Sequence, residues 1–165
     1  MKRVFVIFFS CFSLLSFGQC PIEKGQGQFN AGVGLSTWGL PVYIGYDRGI
    51  GMDISLGGEA SFRQYNEKYF GNSYRHSIIG ISVNGNYHFN NLLGIPDNFD
   101  VYLGANLGFY IWNSSNNYGG DGSSGLGFGG QLGGRYYFND RFGVNLEFGG
   151  GNAFSGGKLG ISLRL

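Results

Sequence analysis

Few residues in this sequence could do chemistry. It carries two histidines, His76 and His88, and two cysteines, Cys11 and Cys20. Nucleophilic catalysis needs a hydroxyl or thiol, a base, and a group that orients the base. His76 has Ser73 and Ser77 close by, and His88 has Asn86 and Asn90; neither spacing marks a catalytic set. The expectation is that the chain is not an enzyme. Two distant histidines and the cysteines form no ligand cluster, so no metal site is expected. GLGFGG at 125–130 matches the phosphate-binding pattern G-x-G-x-x-G. That pattern works only where a helix follows and offers its N-terminus. Here a strand-like alternation runs on to Phe138, so the glycines serve packing and bending, and no cofactor is expected.

The charged residues are more informative. Asp53, Glu59, Arg63, Arg135, Glu147, Lys158 and Arg164 all fall at the same alternate positions of strand-like segments. If that face is enclosed they must pair, because unpaired buried charge is expensive. The order of the segments predicts two layers. Asp53, Arg135 and Arg164 form a lower one, with His88 nearby; Glu59, Glu147, Arg63 and Lys158 form an upper one. Loose rim charges in water and a small ion path are the alternatives.

The elements that position these residues show in VYLGANLGFYIW, residues 101–112. Val101, Leu103, Ala105, Leu107, Phe109 and Ile111 alternate with Tyr102, Gly104, Asn106, Gly108, Tyr110 and Trp112, as in a strand with two unlike faces. The pattern recurs around Phe29–Leu35, Val42–Tyr46, Met52–Phe62, Ile79–Phe89, Leu126–Phe138, Phe142–Phe148 and Leu159–Leu165, giving eight candidate strands. Compact turns are expected at 47–50, 90–98 and 139–141. Longer polar loops are expected at 37–41, 65–75, 113–124 and 149–157. Short turns at one end and longer loops at the other is the plan of an outer-membrane barrel.

Composition decides which face meets water. Charged residues make up 13% of the chain, against about 25% in soluble proteins. Glycine contributes 33 residues and aromatics 18%. The face opposite the apolar one is mostly Gly, Asn and Ser. Such small residues suit the crowded interior of an eight-stranded barrel. Phe29, Tyr46, Tyr87, Phe89, Tyr136, Phe138 and Phe142 gather at lower strand ends. Phe62, Phe109, Phe128 and Phe148 lie near upper ends, with Trp38 and Trp112 close by. Two aromatic belts around an aliphatic band are what a bilayer selects. The apolar face is therefore expected to meet lipid. A soluble lipid-carrier barrel is the rival reading and needs the opposite assignment.

The first residues, MKRVFVIFFSCFSLLSFGQ, have a basic start, an apolar run, and small residues Ser16 and Gly18 at the spacing of a cleavage site. The expected division is a signal peptide at 1–18, a short lead at 19–27 and a barrel at 28–165. Cys20 also admits a lipoprotein reading, although Gln19 before it is not small. Without Cys11, Cys20 has no internal disulfide partner. Removing Lys2 and Arg3 leaves 9 basic against 10 acidic residues, a net charge of −1. That balance offers no basic stripe to a nucleic acid.

In strand pattern, size, leader and terminal strand KLGISLRL, the chain resembles the small eight-stranded outer-membrane β-barrels of the OmpA/OmpX-like kind. The resemblance spans about 28–165. It implies an all-β, antiparallel, up-and-down transmembrane barrel, monomeric, in a Gram-negative-type outer membrane. It also implies lipid bilayer and lipopolysaccharide as surroundings, with the barrel-assembly machinery and periplasmic chaperones as partners in biogenesis. The family's last strand usually ends in an aromatic residue, whereas this one ends in Leu165. A few similar small barrels act on lipid, so a lipid-modifying enzyme is the alternative that the resemblance implies. The aromatics Tyr65, Tyr69, Tyr74, Trp112 and Tyr118, together with Phe70, lie among Asn, Ser and Gly, a mix suited to adaptable binding loops.

Overall fold

The computed structural model describes residues 22–36, 39–69, 72–114, 123–152 and 156–165. The stretch 1–18 expected to be a signal peptide, Cys20 and Tyr118 lie outside them, as do the side chains of Tyr69 and Phe70. Eight strands form one closed antiparallel barrel in chain order. They are β1 (Gly27–Leu35), β2 (Val42–Gly49), β3 (Ile54–Tyr69), β4 (Asn72–His88), β5 (Phe99–Ser114), β6 (Gly125–Tyr137), β7 (Phe142–Gly151) and β8 (Gly156–Arg164). The seam is β1 against β8, from Gln28↔Arg164 to Leu35↔Gly157. Closure leaves no unpaired strand edge.

Alternation sorts the side chains as a barrel requires, with the usual inside and outside reversed. Val33, Ile44, Leu56, Ile81, Val83, Leu107, Leu132 and Leu159 all lie exposed on the outer wall. The buried set is mostly polar and includes Gln28, Asn30, Asp47, Asn86, His88, Asp100, Gln131, Arg135 and Asn145. Its large apolar members are Ile22, Ile78 and the tyrosines Tyr43, Tyr102 and Tyr137. The lumen has room for those tyrosines because glycines face them. A Cβ at Gly133 would fall 2.2 Å from the Tyr102 ring, and one at Gly160 would fall 2.5 Å from the Tyr43 hydroxyl.

Below, the connections are tight. Residues 50–53 and 138–141 are turns, and β4 passes to β5 through α1 (Asn90–Leu93), one helical turn ended by Gly94 at φ 62°. Aromatic pairs ring this end: Phe29 with Tyr46, Tyr87 with Phe89, Phe99 with Tyr136, and Phe138 with Phe142.

Three expectations about connections need correction. The stretch 65–75 is not a loop. β3 and β4 stay paired up to Tyr69↔Asn72, a hairpin that projects from the upper end. Its residues show no regular apolar period, which hides the strands, yet β3 and β4 keep pairing with each other there. Likewise β7 runs to Gly151, so the upper connection there is shorter than 149–157. At the lower end β2 continues to Gly49, which draws Asp47 into the barrel.

Candidate functional site: the lumen and its upper rim

Arg135 sits at the centre of the lower lumen. Its Nη1 donates to Asp100 Oδ2 at 2.7 Å and its Nη2 to Asp47 Oδ2 at 2.9 Å. Its guanidinium lies 4.1 Å from the Tyr102 ring centre. Asp47 also accepts from Asn30 Nδ2 at 2.8 Å and Asn84 Nδ2 at 2.9 Å. Below, the Tyr137 hydroxyl donates to Gln28 Oε1, and Gln28 Nε2 donates to Asn30 Oδ1 at 2.9 Å. A carboxylate–guanidinium fork with its other lone pairs occupied is the form in which charge tolerates burial.

Asp100 is shared. Its Oδ1 lies 2.8 Å from His88 Nδ1, and His88 Nε2 lies 2.9 Å from Ser55 Oγ. Ser55, His88 and Asp100 thus stand in the order of a serine-hydrolase relay. Two observations argue against catalysis. Ser55 and His88 are fully buried, so no substrate reaches the hydroxyl. Arg135 holds the carboxylate's other oxygen. Sequence spacing missed this set because its members come from β3, β4 and β5 and meet only through strand register.

The upper layer is also one cation between two carboxylates. Lys158 Nζ lies 2.7 and 2.8 Å from the Glu59 oxygens and 3.0 Å from Glu147 Oε1. Tyr102 joins the layers, its ring against Arg135 and its hydroxyl donating to Glu147 Oε2 at 2.8 Å. Between them lies a cavity of about 30 Å³, edged by Asn84, Asn106, Gln131 and Asn145.

Other sequence-expected members lie elsewhere. Asp53 is outside the lumen, where it accepts from Asn91 Nδ2 at 2.6 Å beside the lower turn. It precedes β3 and so misses the inward alternation. Asp47 and Asp100 take its place. Both are in phase with inward tyrosines, Tyr43 and Tyr102, and that was the legible signal. Arg164 closes the lower mouth, its guanidinium 3.3 Å from the Tyr137 ring centre and its Nη2 donating to Asp97 O at 3.0 Å. Arg63 is buried above Lys158 and donates to Ser36 Oγ at 3.2 Å.

The lead segment helps to close the lower mouth. Ile22 is fully buried, and Gly25 N donates to Gly49 O at 2.8 Å. On the inward side of Gly49, a Cβ would strike Glu23 O at 2.2 Å. Residues 22–23 therefore lie within the mouth.

At the upper end, Tyr65 stacks on His76 at 5.0 Å, and Trp112 meets both rings edge-on at 5.9 and 5.8 Å. Trp112 Nε1 and Ser114 Oγ converge on His76 Nδ1 at 3.3 and 2.9 Å. Tyr65 and Trp112 thus belong to an ordered inner rim. Tyr74 is half-buried on the projecting hairpin. Among the described residues, no three His, Cys, Asp or Glu side chains converge as metal ligands.

Known structures with this architecture include several outer-membrane proteins. Ail, the attachment invasion locus protein of Yersinia pestis, aligns at 14% identity and TM-score 0.51 over 86% of this chain and 99% of its own. Neisserial surface protein A aligns at 16% identity and TM-score 0.55 over 85% and 94%. OprG from Pseudomonas aeruginosa aligns at 10% identity and TM-score 0.59 over 88% and 99%. The fold is that of the small eight-stranded outer-membrane β-barrels. At these identities the likeness extends to architecture alone. No family model matches the sequence, and no curated protein matches it. In an outer-membrane barrel the exposed apolar wall is the lipid-facing surface, and the short turns mark the periplasmic end.

Proposed function

We propose that this chain is an integral protein of a bacterial outer membrane, delivered by its signal peptide, monomeric, with a lumen closed by its own side chains. Its role is structural or in surface interaction, without catalysis. The observation that carries this reading is the pair of ion clusters joined by Tyr102. Together they cross the lumen at two levels, where a general porin needs open water. The test joins two measurements on protein extracted from membranes. Unheated protein is expected to run faster on an SDS gel than boiled protein, and planar bilayers are expected to show no steady porin-sized conductance. A single unshifted band from the soluble fraction would instead favour the lipid-carrier reading.

A second reading is adhesion or ligand binding at the upper end. It is favoured by the ordered Tyr65–His76–Trp112 rim beside the projecting β3–β4 hairpin. Stacked aromatics beside polar groups suit saccharide recognition. One structural neighbour, Ail, has been solved with the heparin analogue sucrose octasulfate. Replacing 65–75 and 113–124 with short turns is expected to abolish any surface binding while leaving the heat-dependent gel shift intact.

A further inference from the structure

The lipid-facing wall is not even. On β6 the outward positions are Leu126, Phe128, Gly130, Leu132, Gly134 and Tyr136. Gly134 lies between Val101 on β5 and Leu146 on β7. Without a side chain at Gly134 the wall sinks, leaving a groove of about 450 Å³ rimmed by Phe99, Leu132, Tyr136, Leu146, Phe148 and Leu159. The polar residues beneath it turn the other way. Arg135 and Asp100 bind each other in the lumen, and Asn145 accepts there from the Tyr43 hydroxyl. The exposed lining is therefore aliphatic and aromatic. Gly134 stands two residues above Tyr136, about 7 Å along the strand, and Tyr136 packs with Phe99 in the lower aromatic ring. That places the groove at the hydrocarbon depth of the periplasmic leaflet.

We propose that this groove is a binding site for one acyl chain of a periplasmic-leaflet phospholipid. The proposal rests on the outer-membrane reading. The groove is continuous with the apolar band that such a barrel turns to the bilayer, so hydrocarbon is what covers it. Its lining side chains offer no charged partner to a saccharide or a polar peptide. A chain lying in it touches protein on its floor and both walls, whereas on a flat wall it would touch one side. The extra dispersion contact distinguishes a resident chain from passing ones.

The test reconstitutes the full chain into vesicles of phosphatidylethanolamine and phosphatidylglycerol. The protein is then extracted in mild detergent, and retained phospholipids are counted by native mass spectrometry. Gly134→Phe fills the groove; its Cβ would meet nothing nearer than Asp100 O at 3.6 Å. Val101→Phe fills it from the side and serves if Gly134→Phe does not fold. Ala60→Phe, on the exposed outer face of β3, is the matched control. Wild type and Ala60→Phe are expected to keep one phospholipid. The groove-filled variants are expected to lose at least nine-tenths of that adduct while keeping the gel shift. Equal retention by all of them, or retention by none, would mean ordinary annular lipid and would overturn the site. A wild-type dimer lost in Gly134→Phe, with no lipid adduct, would also overturn it and make the groove a self-association surface. Absence of the gel shift in wild type would sink the outer-membrane reading itself, a result separate from loss of the adduct.

Discussion

The two ion clusters of the lumen share one composition, a cation between two carboxylates, but live in different surroundings. In the lower cluster the side chains of Arg135, Asp47 and Asp100 are 3%, 5% and 0% exposed. In the upper cluster those of Lys158, Glu59 and Glu147 are 23%, 18% and 13% exposed. The lower site uses arginine, whose planar fork reaches two carboxylates with fixed geometry. Asn30, Asn84 and His88 occupy further carboxylate positions. The upper site uses lysine, a point charge on a flexible stem, and water reaches it. The same charge count thus gives a dry cluster at one end and a partly exposed one at the other. Removing one member should cost much below and little above.

The sharpest way to break this comparison is Arg135→Leu. It strands two buried carboxylates, and losing one side of a buried pair costs about 3–5 kcal/mol. The expected result is a large fall in the urea midpoint of the reconstituted barrel, or failure to give the heat-shifted band. A midpoint equal to wild type would show that the lower cluster does not hold the barrel.

Ile22→Gly sharpens the comparison by making the lower end resemble the upper. Burial of such a side chain is worth about 2 kcal/mol, and its loss admits water beneath Ser55 and His88. Faster amide exchange at Gly49, Ser55 and His88, with β5–β6 amides unchanged, is the expected signature. Unchanged exchange at all three would place the closure of the mouth elsewhere.

Glu147→Leu should have the smallest effect. Lys158 keeps Glu59, so the loss is its longer, partly exposed contact to Glu147 and one hydrogen bond from Tyr102, together about 1–2 kcal/mol. Its urea midpoint should stay near wild type. A fall as large as that of Arg135→Leu would erase the distinction between the clusters.

Much of the architecture was legible because it depends on a local rule. Val101 to Ile111 alternate, and a strand places alternate residues on opposite faces whatever it pairs with. The same rule put Arg135, Glu147 and Lys158 on one face. It failed where the limits of a strand matter. Asp53 and Asp47 lie six residues apart around one turn, and shifting that turn by three residues exchanges which of them enters the barrel. Asp100 escaped notice because it was placed just ahead of its strand. The 65–75 hairpin was hidden because its residues carry no regular hydrophobic period.

By itself, the sequence determined that this chain makes strands, that each has an apolar and a small polar face, and that aromatics gather at the strand ends. These follow from side-chain chemistry at a period of two. Only the tertiary structure decided which charges meet. Arg135 and Asp47 are separated by 88 residues and Lys158 and Glu59 by 99. Whether such pairs touch depends on closure and stagger around the whole barrel, summed over every pairing, and no local stretch of sequence contains that sum. The groove at Gly134 arises the same way, because one missing side chain makes a hollow only when Val101 and Leu146 are set beside it.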